Sequence, residues 1–214
     1  MNISGLATPA PVVDVYIAPL GSGSMGSVYP PARQARIDAS AGKNQRRQRY
    51  FVWKLLEYAM EKSFGLHLEE QAFSVDEAGK WRCDGCFFSL SHSRDGVAVA
   101  VSNRPVGVDL ESLEREPAPG LEKKILTEQE LLVWNSLAEP ERKTYLLEKW
   151  CAKESLYKAF DGLLFNPRQM ETGANTLTGT VSVGGQAYVY AVATDYLEQV
   201  RMYPQVELKE DKKA

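Results

Sequence analysis

The chain has 214 residues, with 25 Lys and Arg against 28 Asp and Glu, and a formal net charge of −3. This balance argues against a protein that coats nucleic acid, so any anion-binding site must be local. The 44 % of hydrophobic and 25 % of charged residues are typical of a globular protein and exclude disorder as the main state. The 3 cysteines are too few for a disulfide framework, which fits a reducing compartment.

The sequence carries no signal for a membrane. No apolar run approaches the roughly 20 residues that a membrane-spanning helix needs. Residues 1–11 have neither the basic flank nor the apolar segment of a signal peptide. We therefore expect a cytoplasmic protein without a membrane partner.

The first part of the chain predicts one strand and two helices. Residues Pro11–Ile17 alternate in polarity as a strand does, and a Gly- and Ser-rich loop then leads to a short helix with Arg33 and Arg36. Apolar residues at helical spacing predict a long amphipathic helix from Gln45 to Gly65, with Gly65 just past its end.

The rest of the chain predicts short strands, then helices, then strands. Short apolar runs bounded by turn residues predict a meander over Phe73–Val75, Phe87–Leu90, Val97–Val101 and Val106–Leu110. Thr127 with Glu130 forms a capping box, and another helix runs from Pro140 to about Phe160. The final strands are Gly179–Val183 and Tyr188–Ala193. This order of elements predicts an α+β fold.

The strand Val106–Leu110 carries the first candidate site. Its period of two places Gly107, Asp109 and Glu111 on one face, with the apolar residues on the other. Two carboxylates about 7 Å apart along a strand repel each other, and a cation such as Mg²⁺ between them would offset the repulsion. Gly107 would leave room for a ligand. The alternative is a strand end whose two acids simply face solvent.

The helix after Pro140 carries the second candidate site. Spacing of four places Trp150, Glu154 and Lys158 on one stripe, so an aromatic anchor and an ammonium flank a carboxylate. Glu154 and Lys158 alone could also be an ordinary surface ion pair.

A third signal is Ser91-His92-Ser93, which we place in a loop after a strand. Hydroxyls and an imidazole there could donate hydrogen bonds to phosphate, although serines often cap turns and a histidine is often structural. With 2 histidines and no G-x-S-x-G sequence, a serine hydrolase is disfavoured.

The spacing of Cys83 and Cys86 is that of a redox or zinc pair, but no second pair exists. A hairpin turn at Asp84-Gly85 explains the segment better. The arginines from Arg46 to Arg49 could indicate nucleic acid, but a local phosphate site is favoured by the acidic balance of the chain.

Taken together, these residues resemble a known family. Gly107-Val108-Asp109-Leu110-Glu111, followed about 40 residues later by Trp150-Cys151-Ala152-Lys153-Glu154-Ser155-Leu156-Tyr157-Lys158-Ala159, is similar to the signature pair of 4′-phosphopantetheinyl transferases. Ser91-His92-Ser93, Arg33 with Arg36, and the chain length point to the surfactin-type branch. The resemblance runs from about Arg33 to Phe160 and fades afterwards. The sequence departs from the family at Trp81, where proline is frequent.

The resemblance implies a fold of two pseudo-repeated α/β halves, each a small antiparallel sheet packed with helices. We place the N-terminal half at residues 1–102, on the side of the coenzyme A 3′-phosphate. The C-terminal half, residues 103–214, would hold the strand with Asp109 and Glu111 and the helix with the motif from Trp150 to Ala159. The resemblance implies a monomer.

The implied activity is transfer of the 4′-phosphopantetheine arm of coenzyme A to a serine of an apo acyl or peptidyl carrier protein, with Mg²⁺, or Mn²⁺ in its place. Asp109, Glu111 and Glu154 would hold the metal, Glu154 would also act as or position the general base, and Lys158 would stabilise the leaving phosphate. The implied coenzyme A contacts are Arg33, Arg36, Arg49, Lys80, Ser91, His92 and Lys153. The alternatives are a catalytically silent protein of this fold that binds coenzyme A or a nucleotide, and an α+β interaction module.

Overall fold

The computed structural model describes residues 9–77 and 79–208. Its strands are β1 (Val13–Pro19), β2 (Phe73–Val75), β3 (Trp81–Cys83), β4 (Phe87–Ser93), β5 (Gly96–Ser102), β6 (Gly107–Ser112), β7 (Thr176–Val183), β8 (Gln186–Ala193) and β9 (Val200–Tyr203). Its α-helices are α1 (Pro31–Asp38), α2 (Lys43–Phe64), α3 (Glu122–Ile125), α4 (Glu128–Ser136) and α5 (Glu139–Ala159). The predicted α+β class is confirmed. Over the two described ranges, no helix has the length and apolar character that a bilayer crossing requires.

The first sheet has the strand order β4-β5-β1-β9. Its pairs are antiparallel except for β1 with β9, which run parallel. The predicted helix α2 covers one face of this sheet with a buried apolar stripe. Gly65 ends the helix in the left-handed conformation at φ 65°, which glycine adopts without a steric penalty.

A smaller antiparallel sheet has the strand order β6-β8-β7, and α5 covers it. Its topology repeats that of the first sheet, because in each a leading strand pairs with the second strand of a later hairpin and a long helix lies between them in sequence. The predicted boundary after residue 102 falls between β5 and β6. The chain nevertheless returns at β9 to the first sheet, so the C-terminal half contributes one strand to the sheet of the N-terminal half.

The two sheets face each other across a shared core. Val13, Val15 and Ile17 of β1 pack there with Val108 and Leu110 of β6. The molecule therefore has four layers: α2, the first sheet, the second sheet and α5. Burial of this apolar surface holds β6 in place from one side while α5 holds it from the other.

The predicted meander is wrong. The strand β2 pairs with β3 in a separate two-stranded sheet, only β4 and β5 form a hairpin within the first sheet, and β6 belongs to the second sheet. The predicted hairpin turn at Asp84-Gly85 is also wrong, because β3 and β4, on its two sides, lie in different sheets. Cys83 and Cys86 are free thiols.

Candidate active site

The strand β6 presents its two carboxylates on the face opposite the shared core. Val108 and Leu110 are buried between the sheets, while Asp109 and Glu111 lie towards α5. The shared face predicted for the two acids is confirmed. Asp109 is only 5 % exposed, so the alternative of two solvent-facing acids does not describe this strand.

Gly107 brings α5 against β6. A Cβ at this position would lie 1.9 Å from the Ser155 carbonyl oxygen and 2.8 Å from the Ala159 amide nitrogen. The expectation that Gly107 leaves room for a ligand is therefore wrong, because the helix backbone fills that space. The close approach places Glu154 and Lys158 beside the acids of β6.

Lys158 forms an ion pair with Asp109. Its Nζ donates to Asp109 Oδ1 at 2.7 Å and to the Val108 carbonyl oxygen at 3.3 Å. Burial disfavours the ammonium form, but the negative charges of Asp109 and Glu154 outweigh it and raise the pKa of Lys158. The group is thus held in its charged form, and the interpretation of Glu154 and Lys158 as an ordinary surface pair is wrong.

Glu111 and Glu154 complete the acidic centre. Burial, followed by the charge of Asp109, raises the pKa of Glu111, while the Ser93 hydrogen bond and the charge of Arg115, whose Nη1 lies 3.4 Å from Glu111 Oε1, oppose the rise. Burial also raises the pKa of Glu154, where the charge of Lys158 opposes those of Asp109 and Glu111. The three carboxylates therefore interact with one another, with the Lys158 ammonium at Asp109 and the Arg115 guanidinium at Glu111.

The donor chemistry of this centre fits a hard cation. Asp109 Oδ2 is buried and has no hydrogen-bond partner, so one carboxylate oxygen is left to accept a further positive group. Oxygen ligands of this kind suit Mg²⁺, and a cation would offset the repulsion among the acids. In the described ranges, no three His, Cys, Asp or Glu side chains are already gathered in ligand geometry.

Three guanidinium groups form a cluster in the N-terminal half, which we call the arginine cluster. In the described part of the chain, Arg33, Arg36 and Arg49 bond to backbone carbonyl oxygens and to the Ser40 hydroxyl. Burial, then the charges of Arg49 and Arg36, lower the pKa of Arg33 to about 10. The Arg33 guanidinium also lies 4.5 Å from the ring centre of Trp53, and Arg36 lies 5.8 Å from that of Trp81. Such a cluster attracts an anion.

His92 links this cluster to the acidic centre. The surrounding protein, and then the positive charges of Lys158, Arg33 and Arg49, lower the pKa of His92. The residue therefore lies in a field of positive charge from both halves. The predicted loop at Ser91-His92-Ser93 is wrong, because these residues end the strand β4.

Ser91 lies on the face of β4 opposite His92, as the alternation of a strand requires. It is buried, donates to Asp109 Oδ1 at 2.8 Å and accepts from the Leu110 amide at 3.2 Å. The structure thus directs Ser91 to β6 rather than towards the arginine cluster.

Lys153 is not brought to the site. Its side chain is 0 % exposed, and its Nζ donates to the Ile125 and Pro167 carbonyl oxygens, both at 2.8 Å, and to Glu130 Oε2 at 2.5 Å. An ammonium has three N–H donors, and all three are used here inside the protein. This burial does not suit the expected contact with a coenzyme A phosphate.

An open pocket of about 650 Å³ lies beside Lys158. It is lined by Lys80, whose Nζ donates to the Lys158 carbonyl oxygen at 2.5 Å and lies 3.7 Å from Asp161. Sequence reasoning missed Arg82, which also lines the pocket and donates to Asp76 and Asp161 at 2.9 and 2.6 Å. The alternation of Lys80, Trp81 and Arg82 could have indicated Arg82, because in a strand it places both cations on one face and the buried aromatic ring on the other.

Part of the chain is similar to known proteins. Residues 105–199 match the family model ACPS, described as the 4′-phosphopantetheinyl transferase superfamily. The matched range contains the strand β6 and the helix α5 with all four residues of the acidic centre. It continues through β7 and β8, so the expectation that the resemblance fades after Phe160 is wrong.

Two curated relatives carry the same family name. The chain is 32 % identical over 100 residues to 4′-phosphopantetheinyl transferase gsp of Aneurinibacillus migulanus. The aligned stretch covers 46 % of this chain and 42 % of the relative. The chain is 25 % identical over 136 residues to 4′-phosphopantetheinyl transferase psf-1 of Bacillus pumilus, covering 62 % and 55 %. The matched stretches thus span about half the length of these relatives.

Proposed function

We propose that this chain, whose residues 105–199 match the model of the 4′-phosphopantetheinyl transferase superfamily, transfers the 4′-phosphopantetheine arm of coenzyme A to a carrier protein. The observation that carries the proposal is the meeting of Asp109, Glu111, Glu154 and Lys158 within that matched segment. A decayed, purely binding protein would have no need to hold Asp109 buried beside two partly buried carboxylates, because burial of charge is costly.

The reaction is a displacement at phosphorus. The carrier serine oxygen forms a bond to the phosphorus of the pantetheine phosphate, and the bond from that phosphorus to the oxygen of the adenosine-bearing phosphate breaks. The serine proton passes to a base, and adenosine 3′,5′-bisphosphate leaves. Such a transfer depends mainly on positioning and on stabilising charge.

Each residue of the centre has a role in this proposal. Asp109, Glu111 and Glu154 would hold Mg²⁺ or Mn²⁺, and that cation would supply neutralising charge at the diphosphate. Glu154 accepts the serine proton or positions the group that does, a role suited to a carboxylate whose pKa burial raises. Lys158 stabilises the leaving phosphate with an ammonium that its neighbours keep charged.

The cations of the N-terminal half would bind coenzyme A. Arg33, Arg36 and Arg49 would surround the 3′-phosphate, because guanidinium groups bind phosphate with charge-assisted hydrogen bonds. His92 would lie between that phosphate and the diphosphate at Lys158, and Lys80 would lie along the adjoining pocket. We propose a cytoplasmic monomer whose partners are coenzyme A and an apo carrier protein.

The test is the mass of the carrier. Incubation with coenzyme A, Mg²⁺ and several apo acyl and peptidyl carriers should raise the carrier mass by one phosphopantetheine arm. Excess EDTA, or the Asp109→Ala variant of a folded protein, should abolish the gain. Binding of coenzyme A with no modification of any carrier would instead support the catalytically silent protein.

A further inference from the structure

The strands β4 and β6 meet at the edges of their sheets without sharing backbone hydrogen bonds. The strand β4 ends the order β4-β5-β1-β9, and β6 ends the order β6-β8-β7. The residues Val108, Leu110 and Ser112 of β6 are buried, so their outward N–H groups need partners that water does not supply.

Three serines of β4 supply those partners. The Oγ atoms of Ser89, Ser91 and Ser93 accept from the amides of Val108, Leu110 and Ser112 at 3.0, 3.2 and 3.0 Å. The serines alternate along β4, so their hydroxyls form a row at the spacing of every second residue. We call Ser89, Ser91 and Ser93 the serine ladder.

Two rungs of the serine ladder also bond a carboxylate. The Ser91 hydroxyl donates to Asp109 Oδ1 at 2.8 Å, and the Ser93 hydroxyl donates to Glu111 Oε2 at 2.9 Å. Each of these hydroxyls therefore accepts one hydrogen bond from the backbone of β6 and donates another to a side chain of β6. The hydroxyl hydrogen is fixed in direction because the oxygen is already held by an amide.

We infer that Ser91 and Ser93 are positioning residues, which orient the two carboxylates of β6 for the cation and thereby support the proposed transfer. The inference rests on the proposed function for its link to catalysis. Ser91 and Lys158 both bond Asp109 Oδ1, which leaves Oδ2 as the buried oxygen without a partner. The hydroxyl and the ammonium together thus leave Oδ2 as the carboxylate oxygen that remains available.

The ladder contains its own control. Ser89 accepts from the Val108 amide in the same way, is equally buried, and has no bond to a carboxylate among the described residues. Loss of any of the three hydroxyls leaves one buried N–H without a partner. Only loss of Ser91 or Ser93 also removes a hydrogen bond from an acid of the centre.

The experiment compares Ser89→Ala, Ser91→Ala and Ser93→Ala with the wild-type chain. The affinity for Mn²⁺ alone is measured by electron paramagnetic resonance of the free ion, urea unfolding gives stability, and carrier modification gives kcat and KM. We expect a similar loss of stability in all three variants. We expect Mn²⁺ affinity to fall about 10- to 100-fold in Ser91→Ala and Ser93→Ala, as for other groups that orient metal ligands, and to stay near wild type in Ser89→Ala. In the two affected variants kcat should fall more than KM for coenzyme A rises.

Equal Mn²⁺ affinity in all four proteins, an equal loss in all three variants, or a wild-type chain that binds no Mn²⁺ would overturn the inference. If the wild type modifies no carrier but the Mn²⁺ pattern holds, the proposed function fails and the positioning role stands. If Ser91→Ala does not fold, Ser93→Ala carries the same test, because Glu111 is less deeply buried than Asp109.

Discussion

Lys153 and Lys158 stand on the same helix, yet their ammonium groups have different surroundings. Lys158 faces the acids of β6 and the open pocket, whereas Lys153 is enclosed by Glu130 and two carbonyl oxygens. Glu130 Oε2 also accepts from the Thr127 amide in the predicted capping box. Lys153 therefore ties α5 to the start of α4 and to the end of α3.

Replacing Lys153 by Met should destabilise the protein. The change removes the ammonium from Glu130 Oε2 and leaves only Lys149, at 3.8 Å from Oε1, and breaking a buried ion pair costs about 3–5 kcal/mol. Urea unfolding measures the loss, and the variant Lys123→Met, at an exposed lysine, is the control. A Lys153→Met protein of normal stability with a raised KM for coenzyme A would instead assign Lys153 to a phosphate contact.

At the scale of elements, the pairing of β6 with α5 builds the acidic centre. The helix can lie on the strand because Gly107 has no side chain at the crossing. Trp150, one turn before Glu154 on the same stripe of α5, packs edge-on against Phe165 at a ring-centre distance of 5.8 Å. This contact holds a second point of the stripe in place. The distance between the acids and Lys158 thus depends on how closely two backbones approach.

The substitution Gly107→Ala tests this dependence. The added methyl group would overlap the Ser155 carbonyl oxygen, so α5 must shift, and overpacking of this kind costs about 1–3 kcal/mol. Activity should fall with stability because Glu154 and Lys158 move with the helix. Gly173→Ala, where a methyl group would meet nothing within 4 Å, should change neither property. Wild-type unfolding and turnover in Gly107→Ala would show that the crossing tolerates a side chain.

Local sequence patterns predicted those elements in which buried and exposed residues recur regularly along the whole element. The stripe of α2, the cap at Thr127 and the alternation of β6 were visible because each residue's environment follows from the period of its element. The strand β9 was missed because its four residues pair in parallel with β1 from the far end of the chain, and no local pattern marks such a partner. The meander failed for the same reason, since sheet membership is set by distant contacts.

At the scale of the whole molecule, the candidate site lies where two similar halves meet. The acids and Lys158 come from the second half, while the arginine cluster, His92 and Lys80 come from the first. The sequence predicted the acidic centre because its residues share one strand and one helix. Spacing alone could not join it to the arginines, and that link came from the family resemblance. Burial of Lys153 could not be predicted, because Glu130 and Pro167 meet it only in the folded chain.

The kcat of Glu154→Gln for carrier modification tests the central claim most directly. The substitution keeps the shape of the side chain but removes its charge and its capacity to accept a proton, and loss of a general base lowers rates about 10²- to 10⁴-fold. Measured at saturating coenzyme A, carrier and Mg²⁺, kcat should fall within that range while the protein unfolds at the wild-type urea concentration. A wild-type kcat with only a raised KM would contradict the role of the acidic centre in the transfer.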